Sequence, residues 1–561
     1  MKINRAPYYL GLSLLLGTFP GCAVPDADGP ADTFGLDFSM PEGSRTGGAI
    51  VFCVDGLTAR IFDQMLQGGE LPAIKKYFVD RGLYCPQATT NVPSLTLANL
   101  VSIVTGRLPG HHGVIGNNWF DRNRLVWRDY GNLAQKNALD RDYTDPTIYE
   151  QFHDQITFSV FYQPHRGATK FIENWASAGP PFLLGYFQYV DRLALYRFHI
   201  VMDIARQYRQ FPAVTTVYQL APDFRAYRHG LNSKEYRDAI KHTDRQIGRV
   251  LGDLARAGLL DKTVLVLTSD HGLCQVDRHL DLKEFLRRDV GLAVGTNHWW
   301  ENDPFEERLD DYRKFSTILF GSGDRYWALC LRKPIRDANG ALVGFDPWNI
   351  RPPIKDLENY PVGCWYGSGK WQSKAPNEKA GVNLPKVLVE HEAVDAIACL
   401  AGTGRARVLR KTGQVEFRQE AGRGGKISYH LVSGKDPLGW EGKVPADMLN
   451  GKPAEGREWL KATLGTDFPD LPEQILAYFR APKAGDVVLF AAPGWDFGTV
   501  NHAGHGGLRS EEMIVPLILA GPGVPQGRIH SARVVDLMPT LLKLLNRPVP
   551  PNLDGQSLLP E

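Results

Sequence analysis

Five short clusters in this 561-residue chain carry side chains able to hold metal ions or to attack an electrophile. Val54-Asp55-Gly56 ends an apolar run, so its carboxylate would project from the end of a strand. Asp-Gly is also a common turn pair and fits that role equally well by itself. In Pro93-Ser94-Leu95-Thr96, proline closes a loop just where a helix can begin. A hydroxyl at such a start faces unpaired backbone N–H groups, which favour an incoming phosphate. Thr96 becomes a competent nucleophile only if something lowers the pKa of its hydroxyl, and a metal ion would do so. Asn99, one turn on, could donate a hydrogen bond to a phosphate oxygen, whereas a plainer reading makes Ser94 or Thr96 a helix N-cap. Ser269-Asp270-His271-Gly272 pairs a hard oxygen with an imidazole, a ligand mixture that suits zinc. Pro222-Asp223 with His229, and the loop holding His502 and His505, supply more of the same types. One loop histidine is usually a surface residue. Five such clusters at expected strand ends point to a metal site.

Continuous apolar runs at 48–54, 214–220, 263–268, 486–492 and 514–519 have the length and composition of strands covered on both faces. Between them, residues 233–257 repeat apolar side chains at helical spacing behind Ser233, a suitable N-cap, and 534–545 gives a second helix. This alternation predicts an α/β fold with a doubly wound, mainly parallel sheet. Two long stretches interrupt it, at about 122–212 and 275–482. The second holds short runs at 394–400, 406–409 and 427–432 that read as antiparallel meander strands. Both are expected to cap or wall the carboxyl edge of the sheet, where ligands of α/β folds bind.

The 64 basic residues nearly balance 62 acidic ones, so no general positive field exists to hold a nucleic acid duplex. At the N-terminus, Lys2 and Arg5 precede an apolar stretch from Tyr8 to Phe19 and then Gly21-Cys22. Residues 1–22 read as an export signal, and the Gly-Cys pair is similar to a lipoprotein cleavage site that would attach the chain to a membrane through lipidated Cys22. Residues 23–45 read as a flexible tether, and 46–561 as the catalytic domain with its insertions. Either form of processing places the protein in the bacterial cell envelope, as a periplasmic protein or an outer-membrane lipoprotein. Seven cysteines show no zinc-ribbon spacing, and Cys53 and Cys274 read as buried thiols.

Taken in order, Asp55-Gly56, Pro93-Ser94-Leu95-Thr96 with Asn99, Val104-Thr105-Gly106, Pro222-Asp223, Ser269-Asp270-His271-Gly272 and His505-Gly506 resemble the alkaline phosphatase superfamily. The branch most similar is the type I phosphodiesterase/nucleotide pyrophosphatase family, and the closing segments Gly521-Pro522-Gly523 and Leu553-Asp554-Gly555 add to the likeness. The resemblance covers roughly 46–118, 213–275 and 485–556. It implies two divalent metal ions, zinc by ligand type. One would be held by Asp55, Asp270 and His271 and would activate Thr96. The other would be held by Asp223, a following histidine and His505. A small phosphate ester would be attacked by Thr96, and the phosphothreonine then hydrolysed. The family places its histidine four residues after the Pro-Asp carboxylate, where this chain has Tyr227. His229 lies two residues further, and it is the easier ligand because a tyrosine must approach a phenolate of ordinary pKa about 10. It could serve through a shifted loop, since 224–228 carries no strong helix or strand pattern. A sulfatase is set aside because Thr96 cannot become formylglycine.

The expected function is therefore an exported, metal-dependent phosphodiesterase or nucleotide pyrophosphatase. Phosphomonoesterase or phosphonate hydrolase activity, transfer of a phosphoryl-linked head group, and a non-catalytic binding protein with a degraded second metal site are the alternatives.

Overall fold

Unbroken runs of Val, Ile and Leu form the centre of a nine-stranded sheet. In the computed structural model, which describes residues 34–132, 135–296, 299–373, 381–422, 424–498 and 500–560, its main strands are seven. They are β1 (Gly48–Val54), β2 (Gly82–Thr89), β3 (Thr157–Val160), β4 (Lys170–Ile172), β5 (Val214–Gln219), β6 (Thr263–Thr268) and β7 (Ile514–Ala520). The order across the sheet is β2-β7-β6-β1-β5-β3-β4, with two short strands, Gly527–Arg528 and Ala532–Arg533, beside β2. Strands β6, β1, β5, β3 and β4 are parallel, while β7 runs antiparallel to both β6 and β2. The expected mainly parallel α/β sheet is thus the observed one. The stretch 122–212 does more than cap it, because β3 and β4 come from within that stretch.

Six helices matter to the site and its surroundings: α1 (Thr96–Thr105), α2 (Trp175–Leu183), α3 (Phe187–Tyr196), α4 (Phe198–Gln207), α5 (Ala221–His229) and α6 (Lys234–Arg256). Ser233 caps α6 by accepting from the Tyr236 N–H at 3.2 Å, and Tyr236, Ile240, Ile247, Val250, Leu251 and Leu254 line its buried side. The C-terminal helix begins as a tight turn, Val534–Asp536, and continues as Leu537–Leu544.

A second sheet of eight strands is built mostly from 275–482. Residues 394–402, 405–410, 413–419 and 427–434 form its antiparallel meander, as their spacing predicts. The run at Val487–Ala491 also belongs here, antiparallel to Tyr326–Leu331 and Val394–Gly402, and not to the parallel sheet. Its residues are buried on both faces in either sheet, so an apolar run alone cannot distinguish the two. One continuous core joins the sheets, with Val51, Leu100, Tyr326, Ala398 and Val488 in a single packed cluster.

Residues 1–22, with the expected export signal and Cys22, lie outside the described residues, as do 23–33 of the expected tether. From Phe34 onward that tether is docked. Phe38 is buried, its ring meets Phe198 of α4, and Arg206 donates to the carbonyls of Asp37 and Ser39. The aromatic side chains in a segment otherwise rich in Asp, Pro and Gly explain the difference. Among the described residues six cysteines are free and buried, and no helix is long and apolar enough to cross a membrane.

Phe38→Ala removes a buried ring, at a cost of about 3–5 kcal/mol. Limited proteolysis should then cut within residues 34–45 much faster than in the wild type, while the sheet remains protected. Equal cutting in both proteins would contradict docking of this segment.

Candidate metal centre

The register of two parallel strands sets the centre. Cys53 of β1 lies opposite Thr268 of β6, so two residues further along each strand Asp55 and Asp270 emerge side by side. Each is buried. His271 follows on the same loop, with its Nε2 3.3 Å from Asp55 Oδ1 and 3.5 Å from Asp270 Oδ2. Its Nδ1 donates to the Gly272 carbonyl at 3.0 Å, which leaves Nε2 unprotonated and turned to the carboxylates. Tyr218 on β5 donates its hydroxyl to Asp55 Oδ2. Gly56 is required where it stands. Its φ is +64°, and a β-carbon there would lie 2.9 Å from Asp223 Oδ1.

Asp223 enters from α5, and this element corrects one reading of the sequence. Residues 221–229 form a helix, with Pro222 early, Asp223 in the first turn, and Arg228 and His229 in the last. No shifted loop exists. On a helix the position four residues after Asp223 shares its face, and that position is Tyr227, whose ring centre lies 5.9 Å from that of His505. His229 falls six residues on, exposed and turned away, so the structure does not bring it to the centre.

His505 arrives from the far side and is held by the second sheet. Its backbone N–H donates to the Gly323 carbonyl at 2.8 Å, and its own carbonyl accepts from the Arg325 N–H at 3.2 Å. The Arg325 guanidinium, fully buried, donates to Glu512 at 2.9 Å and to the carbonyls of Ala491, Ala492 and Trp495. Glu512 in turn accepts from the Gly507 N–H at 2.8 Å, closing a brace around the loop. His505 Nδ1 donates to the Ser94 carbonyl at 2.8 Å, and its ring stacks on His271 with centres 3.5 Å apart.

Thr96 is the first residue of α1 and the only partly exposed residue between Asn91 and Gly106. Its Oγ1 lies 3.1 Å from His271 Nε2. It is not an N-cap, because Leu95 holds that position with no side-chain bond, and Ser94 is occupied by Gly506 and Gly507. Among the described residues no group accepts from the Thr96 N–H, so the helix start retains a free donor beside the hydroxyl.

Asn99 does not take the role expected of it. Its Oδ1 accepts from the Asn91 backbone and side chain at 2.9 Å, and its Nδ2 donates to the carbonyls of Pro93 and Leu95. The amide is consumed in bracing the loop before Thr96 and has nothing left for a ligand. Asn117 stands nearer the opening. Its Oδ1 accepts from the Leu97 N–H at 3.0 Å, and its half-buried amide lies at the start of α1. Nothing in the local sequence marks it, since only the tertiary fold brings it beside Thr96.

The donor set fits divalent cations. Asp55 Oδ1, Asp223 Oδ1 and Asp270 Oδ2 are buried without a hydrogen-bond partner. Burial, then the neighbouring carboxylates Asp223 and Asp270, pushes Asp55 well above the usual carboxylate range. Burial also raises Asp223 and Asp270. Burial depresses both imidazoles, His271 to about 3 and His505 well below the usual histidine range, so neither supplies a compensating charge. Two groups of ligand atoms lie close enough to share an ion, Asp55 with Asp270 and His271, and Asp223 with His271 and His505. A single Nε2 is common to both.

Residues 49–310 match the family model described as type I phosphodiesterase / nucleotide pyrophosphatase. Mouse ectonucleotide pyrophosphatase/phosphodiesterase family member 1 is 26% identical over 226 residues, 40% of this chain and 24% of that protein. Bovine bis(5'-adenosyl)-triphosphatase ENPP4 is 25% identical over 225 residues, 39% of this chain and 47% of that one. Human family member 7 is 38% identical over 73 residues, 13% of this chain and 16% of that one. The chain thus spans less than half the length of these curated relatives. The solved structure of murine ectonucleotide pyrophosphatase/phosphodiesterase 5 shares the fold, with a TM-score of 0.52 at 13% identity over 90% of this chain and 96% of that one. Residues 49–310, which hold the strand-end carboxylates Asp55, Asp223 and Asp270, are thus similar to the type I phosphodiesterase/nucleotide pyrophosphatase family of the alkaline phosphatase superfamily.

Proposed function

We propose that this protein is an exported, metal-dependent hydrolase of phosphodiester or pyrophosphate bonds, with Thr96 as nucleophile. The observation that carries the reading is the contact of Thr96 Oγ1 with His271 Nε2, at 3.1 Å, beside three buried carboxylate oxygens without partners. Asp55, Asp270, His271 and Thr96 would hold one divalent ion, and Asp223 with His505 a second. Tyr227 replaces His229 as the side chain facing that second position. Zinc suits these oxygen and nitrogen donors. Bound there, such ions supply positive charge that stabilises the threonine alkoxide and the phosphoryl oxygens in the transition state.

The chain's own groups account for the rest. The free N–H at the start of α1 and the Asn117 amide are positioned to donate to phosphoryl oxygens. Thr96 Oγ1 loses its proton to solvent and forms a bond to phosphorus as the leaving group departs with its bonding electron pair and takes up a proton. Water then attacks phosphorus, the threonine oxygen leaves, and a phosphate monoester is released. His271 and Asp270 keep their atoms in place through the Gly272 carbonyl and the His271 and Gly56 N–H groups.

A single tightly held ion is a second reading, favoured by one fact: the two ligand groups share His271. Tyr227 could complete the Asp223 position only as a phenolate, and burial with the charge of Asp223 raises its pKa. The second ion would then bind more weakly than the first.

Thr96→Ala should lower turnover of a nitrophenyl phosphodiester by about a thousandfold or more with folding intact. A variant retaining a tenth of wild-type activity would remove Thr96 from the chemistry. For the metals, elemental analysis after dialysis should find that Asp270→Ala and His271→Ala lose bound metal while His229→Ala retains the wild-type content. Loss of an ion from His229→Ala, with Tyr227→Phe unaffected, would restore His229 as a ligand.

A further inference from the structure

Helix α3 turns an unusual face outward. Its inner side buries Phe187, Val190, Ala194 and Leu195. The opposite side should be polar in a helix that meets only water. Instead Tyr186, Tyr189, Leu193 and Tyr196 recur as a stripe at spacings of three, four and three, with Tyr186 and Tyr196 exposed and Tyr189 and Leu193 half-buried between them. Leu183 and Leu184, at the turn from α2 into α3, extend it, and Leu184 is 68% exposed.

Charge around this stripe is one-sided. Between residues 174 and 202 the only acidic residue is Asp191, and its carboxylate is buried, accepting from the N–H groups of Leu220 at 2.7 Å and Ala221 at 3.0 Å. Arg192 and Arg197 flank the stripe. On α5, Arg228 lies against the turn from α2 into α3, its Nη1 standing where a β-carbon on Gly185 would project. Exposed leucines and tyrosines among arginines, with Asp203 just beyond them paired to Arg206 at 2.7 Å, match the composition of a helix lying in the interface of an anionic bilayer.

The chain itself leads to the same face. The described residues begin at Phe34, whose ring meets Tyr196 at 6.1 Å, and the 33 residues before it include the apolar stretch from Tyr8 to Phe19 and Cys22. We propose that the outward face of α3, with the Leu183–Leu184 turn, docks on the surface of an anionic lipid bilayer. Because Asp191 of α3 clamps the start of α5, which carries Asp223, docking would hold the metal centre at a fixed orientation to the membrane.

The test uses the full chain carrying Cys22→Ser and Leu184→Cys, whose new thiol is labelled with bimane. The six other cysteines are buried and stay unreactive. Vesicles of phosphatidylcholine with a quarter phosphatidylglycerol should shift the bimane emission to the blue. The same label at Val343→Cys, exposed on a hairpin beside the second sheet, should not respond. In co-sedimentation, Leu183→Asp with Leu184→Asp should lower the vesicle-bound fraction about tenfold. No shift at position 184, or an equal shift at 343, overturns the proposal. A shift that follows protein concentration without vesicles overturns it as well and assigns the face to a second copy of the chain.

Discussion

Mutual repulsion among Asp55, Asp223 and Asp270 is the constraint on which the centre depends. Three carboxylates removed from water, each with an oxygen lacking a partner, are tolerable only if protonated or neutralised by cations. The nearby imidazoles do not neutralise them, since burial keeps His271 and His505 uncharged. A folded chain keeps such an arrangement when it serves binding or chemistry. Divalent ions bound there would resolve the repulsion and would also supply the charge that the proposed threonine nucleophile and a phosphoryl group require.

Holding these groups together takes both sheets. The parallel register of β1 and β6 places Asp55 and Asp270 without any side-chain help. Asp223 comes from a helix that can approach because Gly56 has no side chain. His505 has no such support from the parallel sheet. It is fixed by the turn at Gly323–Arg325, and the buried Arg325–Glu512 pair ties that turn to the loop. The long stretch between the core motifs is therefore part of the centre's framework as well as a wall beside it.

Legibility in the sequence follows the same division. The convergence of Asp55, Asp270 and His271 could be read because apolar runs of strand length end directly in acid-bearing, glycine-bounded turns. Helix α6 could be read from its period and from Ser233. His229 was misplaced because 221–229 is too short to show a clear apolar period, although Pro222, Asp223 and the basic last turn are helix signals. Once that helix is recognised, Tyr227 takes the inward position. Asn99 was misassigned because its spacing from Thr96 says nothing of the loop carbonyls that occupy its amide. Asn117 and the strap on His505 depend on contacts between distant segments, and no local pattern encodes them. Likewise Val487–Ala491 is as apolar as a parallel strand, and only its partners assign it to the second sheet.

Crystals soaked in a zinc salt and measured at the zinc absorption edge test the central claim most directly. The account predicts an anomalous peak about 2.0–2.2 Å from Asp55 Oδ1, Asp270 Oδ2 and His271 Nε2, with Thr96 Oγ1 in the same shell. A second, weaker peak is expected between Asp223 and His505. Zinc absent from the three carboxylates while binding elsewhere on the protein would contradict the account, and would leave their burial without a cause.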